Sequence, residues 1–306
     1  MLLQTDRFRA FVKLADNGAN TWPRIAATIA LAVALTMLAI AGLVAALWIV
    51  EGDLLLEYPA AALPTPFGAA VTLLAAAALW PALAAGVRLL HRRPLATIVG
   101  HDGWKGRKDL LVGLAVGIAV PLAVGLLAIP IGPVPERSAV AAGTWILLFL
   151  PFTALVLAQS SAEEALFRGY LPQVLAAKRA GPLVWFVAPT LLFATLHWYD
   201  DVPLWKNLVV VASIGVFALG MMVVVLKTGR IAAACGVHWG NNVVALQLVT
   251  LDEGFAGVAL YQLPPLSDPA WTPFTLGIQA VFTIPVIAIQ VALLLHPRSP
   301  LRVDAA

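Results

Sequence analysis

Long apolar runs, separated by short charged segments, divide the chain. Eight can be traced, at about 25–50, 66–90, 110–133, 140–162, 183–198, 204–226, 231–251 and 273–295. Most reach the ~20 residues that a helix needs to cross a hydrocarbon core. The fifth is short, and Pro182 and Pro189 mark it as irregular. Proline at that depth requires neighbours that satisfy the freed backbone groups. The pattern predicts an all-α polytopic membrane protein with eight transmembrane helices. Residues 1–24 would form a cytoplasmic N-terminal segment, 25–298 a single transmembrane domain, and 299–306 a cytoplasmic tail. Within 1–24, an amphipathic helix with Phe8, Phe11, Val12 and Leu14 opposite Arg7, Arg9 and Lys13 competes with a solvated tail. Segment 169–182, with Gln173, Lys178 and Arg179, reads as a short helix along the inner face.

Composition agrees. The chain is 61% hydrophobic and only 11% charged, where a soluble domain carries roughly 25% charged residues. Mean hydropathy is +0.92. The net charge of +3 is not a nucleic-acid signal, because the basic residues are distributed by topology. With the N-terminus inside, 17 of the 19 Lys and Arg fall on cytoplasmic segments, and only Arg137 and Lys206 fall outside. That bias supports eight spans with both ends cytoplasmic, in the plasma (inner) membrane. The basic loop 91–109 would touch anionic head groups, and His91, His101 and His296 read as interfacial. Trp48, Trp80, Trp145, Trp198 and Trp205 fit interfacial belts. The first apolar run is too long for the core of a cleavable signal. The single cysteine, Cys235, lies in an apolar run without an electropositive setting and reads as inert.

The chemistry concentrates in a few polar residues within these runs. Glu163, Glu164 and Arg168 follow the uncharged stretch Trp145–Ala158. Charge at such depth is costly and marks a functional hypothesis. On a helix Glu164 and Arg168 share a face and can pair, whereas Glu163 points about 100° away. A structural ion pair accounts for Glu164; no second cation lies one turn from Glu163. His197 ends the run Pro189–Leu196, and His238 and Asn242 share a face at i, i+4. Alone, each is readily a hydrogen-bonding residue between helices. Two small-residue pairs, Gly113/Gly117 and Gly236/Gly240, would allow close helix approach, the second beside His238.

Together, two acids, two histidines and an amide from three spans allow hydrolysis. A desolvated carboxylate approaches the basicity a general base needs. Glu163 with a histidine can deprotonate water for attack on a carbonyl, and His238 with Asn242 can donate to the oxyanion. Alternatively, Glu163, His197 and His238 supply three ligands of a catalytic zinc. No HExxH and no GxSG occur, and no GxGD accompanies Tyr199-Asp200. The competing class is a non-enzymatic scaffold, or a transporter coupling these groups to a proton or ion.

Three motifs carry a family resemblance. Glu163-Glu164-Ala165-Leu166-Phe167-Arg168 reads EExxxR, Phe193 to His197 reads FxxxH, and His238 to Asn242 reads HxxxN. In this order, on three spans, they resemble the CPBP family (also called Abi) of intramembrane endopeptidases, which includes CaaX-prenyl proteases of the Ras-converting type. The resemblance covers about residues 140–251 and implies a central active-site cavity formed by helices 4, 5 and 7. It implies that Glu163 and His197 activate water and that His238 and Asn242 stabilise the oxyanion. Glu164 and Arg168 would organise the site, with Phe193 supporting. It leaves open whether a zinc takes part, and implies a membrane-associated protein or peptide substrate within the bilayer. Depth is the difficulty: His197 lies about 20 Å into its span, His238 about 10 Å, and Glu163 near the inner end of the fourth. A shared site requires that the fourth helix start deep, that the fifth be tilted or displaced, or that the span edges differ; the expected arrangement is a cytoplasm-open cavity between spans four, five and seven, with the fourth helix continuing past Tyr170.

Overall fold

The computed structural model describes residues 5–57, 64–100 and 103–303. His101 and residues 304–306 of the tail, both expected at the inner face, lie outside them. Helix α1 (Asp6–Lys13) is capped by Thr5, whose hydroxyl oxygen accepts from Phe8 N at 3.2 Å. Its apolar face is buried: Phe8 stacks on Trp185 with ring centroids 5.0 Å apart, and Phe11 is buried beside it. The amphipathic helix therefore docks on the protein, because its aromatic face finds a partner there.

The helices that follow are α2 (Trp22–Glu57), α3 (Pro66–Ala77), α4 (Leu79–Leu89), α5 (Ala96–Val99) and α6 (Gly103–Ala128). Helix α7 (Ala142–Glu164) runs through a π-helical turn, Ala165–Tyr170, into α8 (Leu171–Ala177). A second π-helical turn, Leu183–Val187, leads into α9 (Ala188–Thr195). Then come α10 (Leu204–Thr228), α11 (Ala232–Val243) with a third π-helical turn at Val244–Leu248, and α12 (Pro273–Leu295). Two-residue strands β1 (Glu136–Arg137), β2 (Val249–Thr250) and β3 (Tyr261–Gln262) form a small sheet ordered β1-β3-β2. Glu136 pairs antiparallel with Gln262, and Val249 parallel with Tyr261.

Six helices among the described residues are long and apolar enough to cross a membrane: Trp22–Val50, Pro66–Leu89, Gly106–Ala128, Ala142–Ala177, Leu204–Thr228 and Pro273–Leu295. They match six of the eight expected spans. The fifth and seventh are shorter. Leu183–Thr195 is about 20 Å long, with Pro182 just before it and Pro189 within it, and Ala232–Leu248 is about 25 Å. A second difference concerns 169–182: no separate inner-face helix begins there, because the helical run of α7 continues to Ala177.

The two glycine pairs meet each other. A Cβ on Gly113 would lie 2.4 Å from Ala233 O, on Gly117 2.4 Å from Val237 O, and on Gly236 2.1 Å from Leu110 O. Helices α6 and α11 thus touch backbone to backbone along the turn that carries His238. The buried Arg230–Asp109 ion pair ties the start of α11 to α6 at one end of that contact. The two basic residues on the expected outer side are held by main-chain carbonyls. Lys206 is buried and donates to Leu266 O at 2.6 Å and Asp268 O at 2.9 Å, while Arg137 donates to Leu260 O at 2.6 Å. Both are structural cations, which is why they depart from the charge bias.

Candidate active site

The helical run through α7 and α8 fixes where Glu163 lies along its helix. Fourteen residues of helix follow it, about 20 Å, so the glutamates lie well inside the run rather than at its end. A π-helical turn lies near each motif: Ala165–Tyr170 follows Glu163 and Glu164 and contains Arg168, Leu183–Val187 precedes Phe193 with five residues between, and Val244–Leu248 follows Asn242 after Val243. Such a turn inserts a residue into the helical ladder and rotates what comes after it, a device that recurs at functional sites.

At the centre is Glu164, fully buried. Its Oε1 accepts a hydrogen bond from His238 Nδ1 at 2.9 Å and lies 3.2 Å from Arg168 NH1. The guanidinium, itself 1% exposed, lies over the Phe193 ring with Cζ 4.0 Å from the centroid, and Phe217 lies 5.9 Å away on another side. Desolvating a guanidinium is tolerable when a carboxylate and two ring faces replace water. Phe193 also packs edge-on against Phe167 at 5.3 Å and His238 at 6.0 Å, and tilted against His197 at 4.9 Å. One ring thereby touches a residue from each motif, which explains an aromatic at that position.

Both imidazoles have one nitrogen fixed. His238 Nδ1 donates to Glu164, and His197 Nδ1 donates to Phe193 O at 2.9 Å, so each ring turns its Nε2 away from its tether. His238 Nε2 lies 3.7 Å from Glu163 Oε2. That is too long for a direct hydrogen bond and short enough for one water to touch both. Glu163 Oε2 is buried and has no hydrogen-bond partner among the described residues, while Oε1 accepts from Gln159 Nε2 at 2.6 Å. Gln159 Oε1 in turn accepts from Asn242 Nδ2 at 3.0 Å and from Ser160 Oγ at 3.1 Å.

These contacts join every residue singled out in the three motifs, Glu163, Glu164, Arg168, Phe193, His197, His238 and, through Gln159, Asn242, into one cluster. Three partners were not foreseen. Gln159 stood four residues before Glu163, and that spacing was the available signal. Phe217, 5.1 Å from the His238 ring, had none in a uniformly apolar span. Trp80, expected in an interfacial belt, instead donates to Ser161 Oγ at 2.9 Å, two residues from Glu163. Among the described residues no three of His, Cys, Asp and Glu form a metal-holding group. A cavity of about 420 Å³ opens elsewhere, between Arg7, Lys227 and Arg302, and has no catalytic group in its lining.

Residues 144–244 match the family model described as "Rce1-like: Type II CAAX prenyl endopeptidase Rce1-like". All three motifs lie within that match, which places this segment among the CPBP-type proteins they resemble. A Bacillus subtilis (strain 168) protein described as "Uncharacterized protein YyaK" is 27% identical over 207 residues, 66% of this chain and 69% of that protein. No solved structure matches the chain. With the apolar helices, the family match points to a multi-pass integral membrane protein.

Proposed function

We propose that the protein is an intramembrane endopeptidase that cuts a membrane-associated protein or peptide with a water activated by Glu163 and a histidine. The observation that carries this is the 3.7 Å spacing of Glu163 Oε2 and His238 Nε2, with Glu163 Oε2 otherwise unbonded among the described residues. Water held there gives a proton to Glu163, and the hydroxide adds to the scissile carbonyl carbon. The tetrahedral intermediate collapses, the C–N bond breaks, and Glu163 returns the proton to the leaving amine. His197, with its Nε2 directed away from Phe193, assists in holding the water. Glu164 and Arg168 hold His238 in place, so that its Nε2 shares the water with Glu163.

The site lies between the fourth, fifth and seventh apolar segments, in a cavity reached from the cytoplasmic side. The chain crosses the plasma membrane eight times with both ends cytoplasmic, in line with the distribution of Lys and Arg. No metal is assigned a step, and no nucleic acid is a partner. Nothing in the geometry favours a scaffold or transporter: the buried charges are tied to one another rather than strung along a path.

The test compares peptide ends in membranes carrying the wild-type protein or Glu163→Ala at equal abundance. A new terminus present only with the wild type supports the reading. Identical termini in both, with a folded variant, would overturn it.

A further inference from the structure

We infer that the cavity between Arg7, Lys227 and Arg302 is a binding site for a phosphate group, supplied by the head group of an anionic phospholipid. Its volume of about 420 Å³ falls in the range of roughly 300–1,000 Å³ that small-molecule sites occupy. Arg7 comes from the start of α1, Lys227 from near the end of α10, and Arg302 from the tail beyond α12. The apolar helices Leu204–Thr228 and Pro273–Leu295 both finish here, so the cavity lies at the edge of the hydrocarbon, where lipid head groups begin. Leu295 and Val303 add an apolar wall beside the cations, which suits a head group at its junction with the acyl chains.

Backbone contacts hold these walls in place. The Thr5 hydroxyl donates to Leu226 O, and Arg7 O lies so close to Gly229 that a Cβ there would come within 2.7 Å of it. The start of α1 is thereby pressed onto the end of α10. Val303 N donates to Leu294 O at 2.9 Å, which folds the tail back on α12. The charges around the space are unbalanced. Asp6, the one acid among the described lining residues, pairs with Arg9, which is not part of the lining. Among the described residues Arg7, Lys227 and Arg302 form no ion pair, and Arg7 Nη1 is buried without a hydrogen-bond partner. Helix dipoles account for one of the three cations. Lys227 stands in the last turn of α10, where a cation is favoured, whereas Arg7 stands in the first turn of α1, where an anion is favoured, and Arg302 lies in no helix. A phosphate would meet all three with charged acceptor oxygens and would satisfy the open Nη1 donor.

The experiment titrates the full-length protein, in neutral maltoside micelles, with pyrene-labelled phosphatidylglycerol and with phosphatidylcholine carrying the same label. Energy transfer from tryptophan reads lipid binding, and equilibrium dialysis with radiolabelled inorganic phosphate reads the free anion. The wild type should prefer phosphatidylglycerol. A basic residue at a membrane surface contributes about fivefold to the affinity for an anionic lipid, so Arg7→Gln, Lys227→Gln and Arg302→Gln should each weaken binding by about that factor. Arg88→Gln, an exposed cation outside the lining, and Asp304→Asn, the next acid in the chain after Val303, should leave it within about twofold. Thermal unfolding without lipid checks that every variant is folded. The inference falls if the preference survives both Lys227→Gln and Arg302→Gln, or if Arg88→Gln lowers it equally, because binding is then a general effect of surface charge. It also falls if Asp304→Asn raises affinity several-fold, since the tail's own carboxylate is then the occupant. Inorganic phosphate bound without any lipid preference, and lost in the same three variants, would keep the phosphate site and make a soluble phosphate its source.

Discussion

His238 donates through Nδ1 to Glu164 at 2.9 Å, and this one contact joins the first motif to the third. It gives Glu164 two tasks. The carboxylate neutralises Arg168 and also selects which nitrogen of His238 faces Glu163. The two adjacent acids are thereby separated by role: Glu164 is joined through Oε1 to His238 and Arg168, whereas Glu163 keeps Oε2 toward His238 Nε2.

This separation predicts different losses. Glu163→Gln removes the base and should lower kcat by the 10²–10⁴-fold that general-base catalysis supplies. Glu164→Gln keeps an oxygen for His238 Nδ1 but loses the charge beside Arg168, and should cost about 10–100-fold together with stability. Cleavage of a reporter peptide, set beside thermal unfolding in detergent, checks both. Equal loss in the two variants with unchanged stability would contradict the assignment.

Arg168 is the more structural member of its pair. Replacing it with Met leaves Glu164 buried with only His238 for support, and removing one partner of a buried pair costs about 3–5 kcal/mol. Arg168→Lys keeps the charge but not the planar group over Phe193, and should recover only part of that loss. Denaturant titration in mixed micelles reads the difference. A fully stable Arg168→Met would show that the pair is not needed to hold the fold.

The contact between α6 and α11 offers a third prediction. A Cβ on Gly236 would fall 2.1 Å from Leu110 O, so Gly236→Leu must separate the helices and displace His238. Overpacking of this kind costs about 1–3 kcal/mol or more. Gly125→Leu, also on α6 but with nothing within 4 Å of its Cβ, should be tolerated. Thermal stability and cleavage should both fall in the first variant and in neither case for the second.

How much of this was legible in the sequence depends on the range of the interaction. Five of the six helices long and apolar enough to cross begin and end within a few residues of the apolar runs, since length and hydropathy are local properties. The pairing of Glu164 with Arg168 followed from i, i+4 spacing, and Gly113/Gly117 and Gly236/Gly240 were each visible as small-residue pairs. That they face one another was not, because nothing in either pair names its partner. The continuation of the fourth helix past Tyr170 was expected from the need to bring Glu163 near the histidines, while Lys178 and Arg179 suggested a separate inner-face helix at 169–182, where the same helix instead runs on to Ala177. His91 was read as interfacial from its basic surroundings. It is instead buried, with Nε2 2.9 Å from Tyr170 Oη, a contact between residues far apart in the chain.

That burial makes His91 a source of pH dependence. Desolvation, with repulsion from Arg93 and Arg24 added to it, pushes its pKa down to about 4 from 6.5. Unfolded His91 takes up a proton as pH falls through about 6.5, whereas the folded residue stays neutral until about 4, so the unfolded state binds more protons in that window. Stability from this group is complete above about 6.5 and is lost progressively down to about 4. His91→Asn should flatten the slope of melting temperature against pH in that interval, measured against wild type in the same detergent. An unchanged slope would assign the pH dependence to other groups.

Metal removal gives the last prediction. His197 and His238 each have Nδ1 engaged and Nε2 turned away, an orientation that metal-binding histidines also adopt. The orientation does not by itself require a metal, since the same tethering fixes the tautomer of a histidine that handles water or an oxyanion. What differs is the third donor. A zinc at this place needs Glu163 as a ligand, whereas the present arrangement gives one Glu163 oxygen to Gln159 and holds the other 3.7 Å from His238 Nε2. With glutamate as the base, cleavage should survive exhaustive chelation. Added zinc should not raise the melting temperature either, although a ligand bound only by the folded state adds about 2.7 kcal/mol at a hundred times its Kd. Activity that disappears on chelation and returns with zinc, along with a zinc-dependent rise in stability that Glu163→Gln abolishes, would make Glu163 a ligand. The proton would then have to pass to another group, and His197, whose Nε2 is not tied to Phe193, would be the one to examine.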